Sequence, residues 1–204
     1  MEHVRLSPLI SAEEIKTRVD KMGATLTDKF KGKDLAAICV LKGSFMFFAD
    51  LIRAIDTDLS TDYCGVSSYE GMHSSGEVKV TLDLSRSIRD RHVILVEDIV
   101  DTGLTMNFLK RHLANHKPKS LTTVSLLMKP DALKEKCEVD LVGFKIPNDF
   151  VVGYGLDYQG YFRNLGYIAQ VSNTNRRPPY FSARPGSSDR SCSRNFYRAR
   201  PTRA

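Results

Sequence analysis

The chain has 204 residues, of which 42% are hydrophobic, a proportion typical of a folded globular protein. Its formal net charge of +6 is concentrated at one end, since residues 176–204 contain eight Arg, no Lys and one acid, whereas the rest has 22 basic and 23 acidic residues. A nearly neutral body argues against a nucleic-acid-binding domain over most of the chain. No stretch approaches the roughly 20 apolar residues of a membrane span.

The predicted elements alternate between helices and strands. Ser11 to Glu14 has the S-x-x-E spacing of a capping box and predicts the start of a helix. Apolar runs or alternation predict strands at 35–41, 59–69, 78–82, 93–97, 121–128, 141–144 and 167–171, and helical spacing predicts helices at 45–55 and near 104–115. The strands at 59–69 and 78–82 should form an antiparallel pair around a polar loop, and the whole pattern predicts an α/β protein with a mostly parallel sheet.

The segment from Val93 to Thr105, VILVEDIVDTGLT, is the most informative part of the chain. Its apolar run predicts a strand buried on both faces, with Glu97 and Asp98 at the carboxyl end, where open α/β sheets bind ligands. The following D-T-G-L-T should be a turn that enters a helix, with free backbone N–H groups and hydroxyls for an anion. Carboxylates beside that turn suit a divalent metal ion or sugar hydroxyls, so the segment alone predicts a site for a phosphorylated sugar.

Four further segments carry residues suited to binding. Lys42-Gly43-Ser44 follows a buried strand, and 68–76 is a glycine-containing polar loop that begins with Ser68 and Tyr69. Lys129 ends the predicted strand SLLMK, and residues 150–165 read FVVGYGLDYQGYFRNL, an aromatic segment with one Asp and one Arg. Taken singly, each of these segments is equally typical of an ordinary turn, loop or strand end without a binding role.

Together the five segments resemble, in order and over about residues 5–171, the type I phosphoribosyltransferases, and among them those that act on hypoxanthine and guanine. The resemblance implies the fold of that family: a central, mostly parallel sheet flanked by helices, with a small hood and a flexible antiparallel lid. It also implies transfer of a phosphoribosyl group from phosphoribosyl pyrophosphate (PRPP) to a 6-oxopurine, with Mg²⁺ as cofactor. Ser44 departs from the Gly or Ala that is commoner at this position of the family.

The resemblance also assigns roles to individual residues. Asp101 is the expected general base. The residues expected to bind PRPP through its ribose and 5-phosphate are Glu97, Asp98, Thr102, Gly103, Leu104 and Thr105. The residues expected to bind pyrophosphate are Lys42, Gly43 and Arg163, and those expected to bind Mg²⁺ are Glu97, Asp98 and Asp157. The purine is assigned to Lys129, Phe150, Val151 and Asp157, and the lid contributes Ser68 and Tyr69.

Some alternatives stay open at the level of sequence. The preference among hypoxanthine, guanine and xanthine is not predicted, and an orotate or adenine enzyme would share the fold, although Lys129 argues against adenine because adenine has no acceptor oxygen at C6. A regulator of this fold that binds RNA through its basic tail is the second hypothesis. We expect residues 1–172 to form the domain and 173–204 a disordered tail. A homodimer or homotetramer is implied by the resemblance.

The cysteines and the amino terminus bear on location. The four cysteines show neither C-x-x-C pairs nor zinc-finger spacing, and Cys39 falls in an apolar strand, where a free thiol is expected to be part of the core. The chain begins without the apolar segment of a signal peptide. Both features predict a cytoplasmic protein.

Overall fold

Nine strands and three α-helices alternate in the computed structural model, which describes residues 4–68 and 78–173. Their order is β1 (Val4–Ile10), α1 (Ala12–Phe30), β2 (Leu35–Leu41), α2 (Phe45–Ala54), β3 (Leu59–Ser68), β4 (Val78–Leu82), β5 (His92–Val100), α3 (Leu104–Ala114), β6 (Ser120–Met128), β7 (Leu141–Lys145), β8 (Val151–Val152) and β9 (Ile168–Asn173), with a short 3-10 turn at Pro130–Ala132.

The central sheet has six strands in the order β4-β3-β2-β5-β6-β7. Strands β3, β2, β5, β6 and β7 are parallel to one another, and β4 is antiparallel to its partner β3. β2 and β5 lie in the middle and are buried on both faces, as continuous apolar runs require. The predicted mostly parallel α/β sheet and its antiparallel pair are therefore confirmed.

The helices cover both faces of this sheet. α1 and α2 pack on one face, where Val19 of α1, Phe47 of α2 and Cys39 of β2 belong to the same hydrophobic cluster. α3 packs on the other face, where Leu109 of α3 and Leu95 of β5 belong to a second hydrophobic cluster. Cys39 is fully buried, and burial raises the pKa of its thiol to about 11, so its predicted place in the core is confirmed.

A second, smaller sheet has the order β1-β9-β8 and is antiparallel. It corresponds to the expected hood, but β1 was not among the predicted strands. Pro8 lies inside β1 and cannot donate a ladder hydrogen bond, so the segment does not have the pattern of a strand. The structure tolerates Pro8 because β1 is an edge strand with an irregular register between Pro8 and Ile10.

Two predicted boundaries need correction. β5 continues to Val100, three residues beyond the predicted end at Glu97, so Glu97 and Asp98 lie inside the strand and not at its end. The reason is that β6 stays apolar to Met128 and offers ladder partners to the end of β5, with Ile99 beside Leu127. β9 likewise extends to Asn173, one residue into the predicted tail.

The amino end of α1 agrees with its prediction. Ser11 is the N-cap, its hydroxyl accepts a hydrogen bond from the Glu14 backbone N–H at 3.2 Å, and the Glu14 carboxylate accepts one from the Ser11 N–H at 2.8 Å. Among the described residues, none of the helices is long and apolar enough to cross a membrane. The rest of the predicted tail, residues 174–204, and the predicted lid at 69–76 lie outside the described residues.

Candidate active site

The turn at residues 101–103 joins β5 to α3 at the carboxyl end of the central sheet. Gly103 has a φ of +84°, a left-handed conformation that glycine adopts without strain, and a Cβ at this position would lie 2.9 Å from that of Cys137. A concavity of about 240 Å³ opens here, and its lining includes Glu97, Asp101, Thr102 and Thr105. Because the first N–H groups of α3 have no partner within the helix, the turn can bind an anion such as a phosphate.

Glu97 and Asp98 form a buried acid pair beside this turn. Each residue is only 9% exposed, and Oε2 of Glu97 has no hydrogen-bond partner among the described residues. Burial, and then the charge of Asp98, raise the pKa of Glu97 well above its ordinary value. Burial also raises the pKa of Asp98, although hydrogen bonds from Glu97 and the Ile99 N–H and the charge of Arg163 oppose that shift. A buried carboxylate oxygen without a partner is suited to a cation or to the hydroxyls of a ligand.

Three chain segments meet closely at Asp98. A Cβ placed on Gly43 would overlap Oδ2 of Asp98, and a Cβ placed on Gly155 would overlap the carbonyl oxygen of Gly43. Gly155 also has a φ of +102°, which favours glycine. The loop after β2 can therefore approach both Asp98 and the loop after β8 so closely only because Gly43 and Gly155 lack side chains.

The side chain of Arg163 lies in the same part of the site, next to Gly155. Its guanidinium donates to the carbonyl oxygen of Gly155 at 2.6 Å and forms an ion pair with Asp157 at 2.5 Å. The guanidinium is thus fixed at two points, beside a backbone that contacts Gly43. The structure brings together three of the predicted positions, Asp98, Gly43 and Arg163, and pairs Arg163 with a fourth, Asp157.

Lys129 and Asp101 form a second pair, one residue beyond the ends of β6 and β5. Nζ of Lys129 donates to Oδ2 of Asp101 at 3.0 Å, and the Lys129 backbone N–H donates to the carbonyl oxygen of Val100 at 2.9 Å. Lys129 is 6% exposed, whereas the Asp101 side chain is 46% exposed. A buried ammonium and an accessible carboxylate next to each other can donate to one atom of a ligand and accept from another.

The aromatic segment presents one open ring. Phe150 is 52% exposed, although its ring makes an edge contact with Tyr158 at a centroid distance of 5.8 Å. The next residue, Val151, is buried in β8 and pairs with Gln170 of β9. An exposed phenyl ring on a backbone held in a sheet can stack on a planar ligand.

The remaining predicted positions have plainer surroundings. Lys42 follows a cis peptide bond with Leu41. Ser44 is fully buried, its hydroxyl donates to the carbonyl oxygen of Val40, and it lies 3.4 Å from Sγ of Cys39. Ser44 is therefore larger than the Gly or Ala that is commoner in the family, but its side chain does not face the site. Ser68 ends β3, and Tyr69 lies outside the described residues.

Sequence reasoning missed two structural supports of the site. Gly155 is one, and its only signal is that it is one of three glycines in the aromatic segment 150–165. The other is the segment after the 3-10 turn, where the backbone N–H groups of Lys134 and Glu135 donate to the carbonyl oxygen of Thr102 at 3.0 and 3.4 Å. The sequence gives no sign of this second support, because the bonds are made by backbone atoms.

A larger cleft of about 490 Å³ lies between α1 and α2 and next to Tyr154. The charged groups along it already have protein partners: Lys16 pairs with Asp20, while Asp50 pairs with Arg53 and accepts a hydrogen bond from the Tyr154 hydroxyl at 2.5 Å. The chemistry of the side chains, and not the volume of the cavity, therefore locates the candidate site at the end of β5.

Comparison with known proteins shows the family to which the chain is related. Residues 10–159 match the family model described as "Phosphoribosyl transferase domain". The hypoxanthine-guanine phosphoribosyltransferase of Bacillus subtilis is 47% identical over 169 residues, which cover 82% of this chain and 94% of the relative. That of Mycobacterium tuberculosis is 45% identical over 172 residues, which cover 81% of this chain and 85% of the relative.

Solved structures give the same result. The crystal structure of a hypoxanthine phosphoribosyltransferase from Staphylococcus aureus matches with a TM-score of 0.78 and 45% identity, over 81% of this chain and 91% of the other. The match to the family model extends over more than half of the chain, and both relatives are matched over most of their length. This chain therefore belongs to the phosphoribosyltransferase family, with the hypoxanthine-guanine phosphoribosyltransferases as its relatives.

Proposed function

We propose that this protein transfers a 5-phosphoribosyl group from PRPP to N9 of a 6-oxopurine, hypoxanthine or guanine, and releases pyrophosphate. The observation that carries the proposal is the pair of Asp101 and Lys129, with Nζ 3.0 Å from Oδ2. A 6-oxopurine has an acceptor oxygen at C6 and a nitrogen at N7 on the same edge of the bicyclic ring. A neighbouring ammonium and carboxylate complement that edge, and the names of the relatives support the same substrates.

Asp101 is the proposed general base for the proton at N7. Its carboxylate is accessible and stands at the entrance of the turn that would hold the 5-phosphate. As the bond between ribose and pyrophosphate breaks, positive charge develops at C1′ and the purine N9 attacks. Removal of the N7 proton keeps electron density on the ring during that attack.

Lys129 would donate to the oxygen at C6 and so select 6-oxopurines. Phe150 would stack on the ring, and the Val151 backbone would contact its edge. Burial of the ammonium supports selectivity, because a buried donor left without an acceptor is unfavourable by about 1–3 kcal/mol or more. Adenine, with an amine at C6, would leave the N–H of Lys129 that faces C6 without an acceptor, although the ammonium also donates to Asp101.

PRPP would be held at both of its charged ends. The 5-phosphate would accept from the backbone N–H groups and hydroxyls of residues 102–105, and the positive end of the α3 dipole adds to this attraction. Pyrophosphate would lie beside Lys42, Gly43 and Arg163, and Arg163 is already oriented by Gly155. Ser68 and Tyr69 are proposed to contribute to a lid that excludes water from the reacting ribose.

Mg²⁺ fits the acids of this site. Oε2 of Glu97 is buried without a partner among the described residues, and carboxylate oxygens are the ligands that Mg²⁺ prefers. Glu97, Asp98 and Asp157 would hold the ion, directly or through the ribose hydroxyls. When bound, the ion neutralises charge on the pyrophosphate leaving group.

The wider organisation is proposed on the same basis. Residues 1–172 would form the transferase domain and residues 173–204 a basic tail, and the protein would be cytoplasmic and assemble as a homodimer or homotetramer. The alternative of a regulator that binds RNA through its tail finds no support among the relatives, which are named as phosphoribosyltransferases.

Turnover of each purine in the presence of PRPP and Mg²⁺ tests the proposal. Hypoxanthine and guanine should be converted, as followed by the ultraviolet absorbance of the nucleotide formed, whereas adenine and orotate should not. The turnover of xanthine in the same assay shows whether the specificity extends to this third 6-oxopurine. Conversion of adenine in preference to hypoxanthine, or of none of these bases, would overturn the assignment.

A further inference from the structure

A cluster of three metal-ligating side chains lies outside the proposed active site. Asp83 follows β4, His112 lies in the last turn of α3, and His116 lies just beyond that helix. One ligand atom from each residue lies within 4.8 Å of those of the other two. His112 is eight residues from the start of α3, so the cluster is about 12 Å along the helix from the proposed phosphate site.

The spacing of the two histidines follows from the chain. His112 and His116 are four residues apart, and the turn after α3 continues the helical path through a hydrogen bond from the His116 N–H to the Leu113 carbonyl oxygen at 3.1 Å. Residues at i and i+4 lie on the same side of a helix. The two imidazoles therefore face the same space, with ring centroids 5.2 Å apart.

Asp83 closes the cluster from another element. Its Oδ1 lies 2.9 Å from Nε2 of His112 and accepts the N–H of Leu84 at 2.8 Å. His112 is itself oriented by Phe108, whose ring stacks parallel to it with an interplanar angle of 5°. Around a tetrahedral ion with bonds of about 2.0–2.2 Å, neighbouring ligand atoms lie roughly 3.3–3.5 Å apart. The three ligand atoms, which lie within 4.8 Å of one another, would have to move by about 1 Å to coordinate an ion.

We propose that Asp83, His112 and His116 form a binding site for a divalent transition-metal ion of the Zn²⁺ type, separate from the proposed Mg²⁺ site. Two imidazole nitrogens and one carboxylate oxygen are a ligand set that favours Zn²⁺ over Mg²⁺, which prefers oxygen ligands. Solvent completes the coordination, because the Asp83 side chain is 51% exposed and that of His112 is 23% exposed.

The ion would join two parts of the fold that are distant in sequence. Asp83 belongs to the connection between β4 and β5, whereas the histidines belong to α3, the helix that begins at the proposed phosphate turn. An ion bound to the folded state alone stabilises that state by mass action. Zn²⁺ should therefore raise the melting temperature of the protein with Mg²⁺ already present in excess.

Imidazole nitrogen resonances test the site directly. The full-length protein is labelled with ¹⁵N-histidine and titrated with Zn²⁺ in excess Mg²⁺. Of the five histidines, two should show large shifts of a ring nitrogen, and His112→Gln and His116→Gln should each remove one of these signals. Calorimetry on the same samples should give a single site, whose affinity falls at least about tenfold in His116→Gln and in Asp83→Asn.

Two controls separate this site from others. His3→Gln removes an imidazole elsewhere in the chain and should leave the Zn²⁺ affinity unchanged. Glu97→Gln alters the proposed Mg²⁺ site and should also leave it unchanged. If the signals of His112 and His116 do not move at saturating Zn²⁺, or if Asp83→Asn and His116→Gln bind as tightly as the unmodified protein, the three residues are only a hydrogen-bonded cluster and the proposal is wrong.

Discussion

Asp101 combines accessibility with a fixed position. It follows the last residue of β5, and its carboxylate accepts from Lys129. Replacement by Asn keeps the size and an acceptor oxygen but removes the base. We therefore expect Asp101→Asn to lower kcat for hypoxanthine by about 10²-fold or more, the usual range for general-base catalysis. Steady-state kinetics with saturating PRPP measures this.

The matched control is Asp90→Asn. Asp90 is exposed, lies just before the amino end of β5, far along the strand from Asp101, and has a φ of +61°, which Asn tolerates well. The kcat of the Asp90→Asn variant should equal that of the unmodified protein. A near-normal kcat in Asp101→Asn would remove Asp101 from the role of base, and an equal loss in both variants would point to a general effect on folding.

Lys129 should govern purine affinity alone. Lys129→Ala removes a charged donor, which contributes about 1.5–3 kcal/mol to a hydrogen bond, so the dissociation constant for hypoxanthine should rise roughly 10- to 100-fold. Asp101 remains solvated, because its side chain is 46% exposed. The affinity for PRPP should stay nearly the same in calorimetric titrations.

The control here is Lys134→Ala, whose side chain is exposed close by in the chain. It removes the same charge and should change neither affinity. Equal weakening of purine and PRPP binding in Lys129→Ala would show that the residue acts on the electrostatics of the whole site. The proposed selection of 6-oxopurines would then be incorrect.

The loops between elements, and not the elements themselves, fix the pyrophosphate side of the site. Gly43→Ala places a methyl group where Oδ2 of Asp98 lies, so either the loop or the carboxylate must move. Positions displaced by about 1 Å can reduce rates on the order of 10²-fold. We expect a loss of kcat/KM for PRPP of at least about tenfold, measured by steady-state kinetics.

Gly166→Ala is the comparison for that variant. Gly166 is exposed, and a Cβ there has no heavy atom within 4 Å. It should retain full activity, and circular dichroism of both variants should match the unmodified spectrum. If Gly43→Ala is folded and fully active, the close approach of Gly43 to Asp98 has no role in PRPP binding.

The same elements define what sequence can predict. β2 and β5 were predictable because a strand buried on both faces needs an unbroken apolar run. β1 was not, because its edge position tolerates Pro8, and the true end of β5 depends on its ladder with β6. In the site, the turn at 101–105 follows from local spacing, whereas the contact of Gly155 with Gly43 joins residues more than a hundred positions apart.

For the molecule as a whole, the acid pair in the candidate site works against the stability of the fold. Glu97 and Asp98 are buried, and the pKa of each is raised by that burial. Above the ordinary pKa of these acids, their ionisation is therefore less favourable in the folded state than in the unfolded state, which is unfavourable to folding. The fold keeps these groups although neutral side chains would pack more favourably, as expected for residues kept for binding.

Glu97→Gln should therefore stabilise the protein while impairing PRPP binding. The substituted amide is uncharged at every pH and can donate to Asp98. The melting temperature at neutral pH should rise by about 2–4 °C for each kcal/mol relieved, as measured by differential scanning calorimetry. Glu138→Gln is the control, since Glu138 is exposed and pairs with Lys136 at the surface, where an ion pair contributes little to stability.

The pH dependence of this gain has a definite sign. Below the ordinary glutamic acid pKa of 4.5, the carboxyl is protonated in both states and Glu97→Gln should have little effect. As the pH rises through that value, the unfolded chain ionises more readily than the folded protein, so the free energy of unfolding of the unmodified protein falls. The variant lacks this fall, and the difference between the two proteins should grow from pH 4 to pH 7 in urea denaturation. Parallel profiles would mean that Glu97 is ionised in the folded protein, stabilised by a cation or another donor.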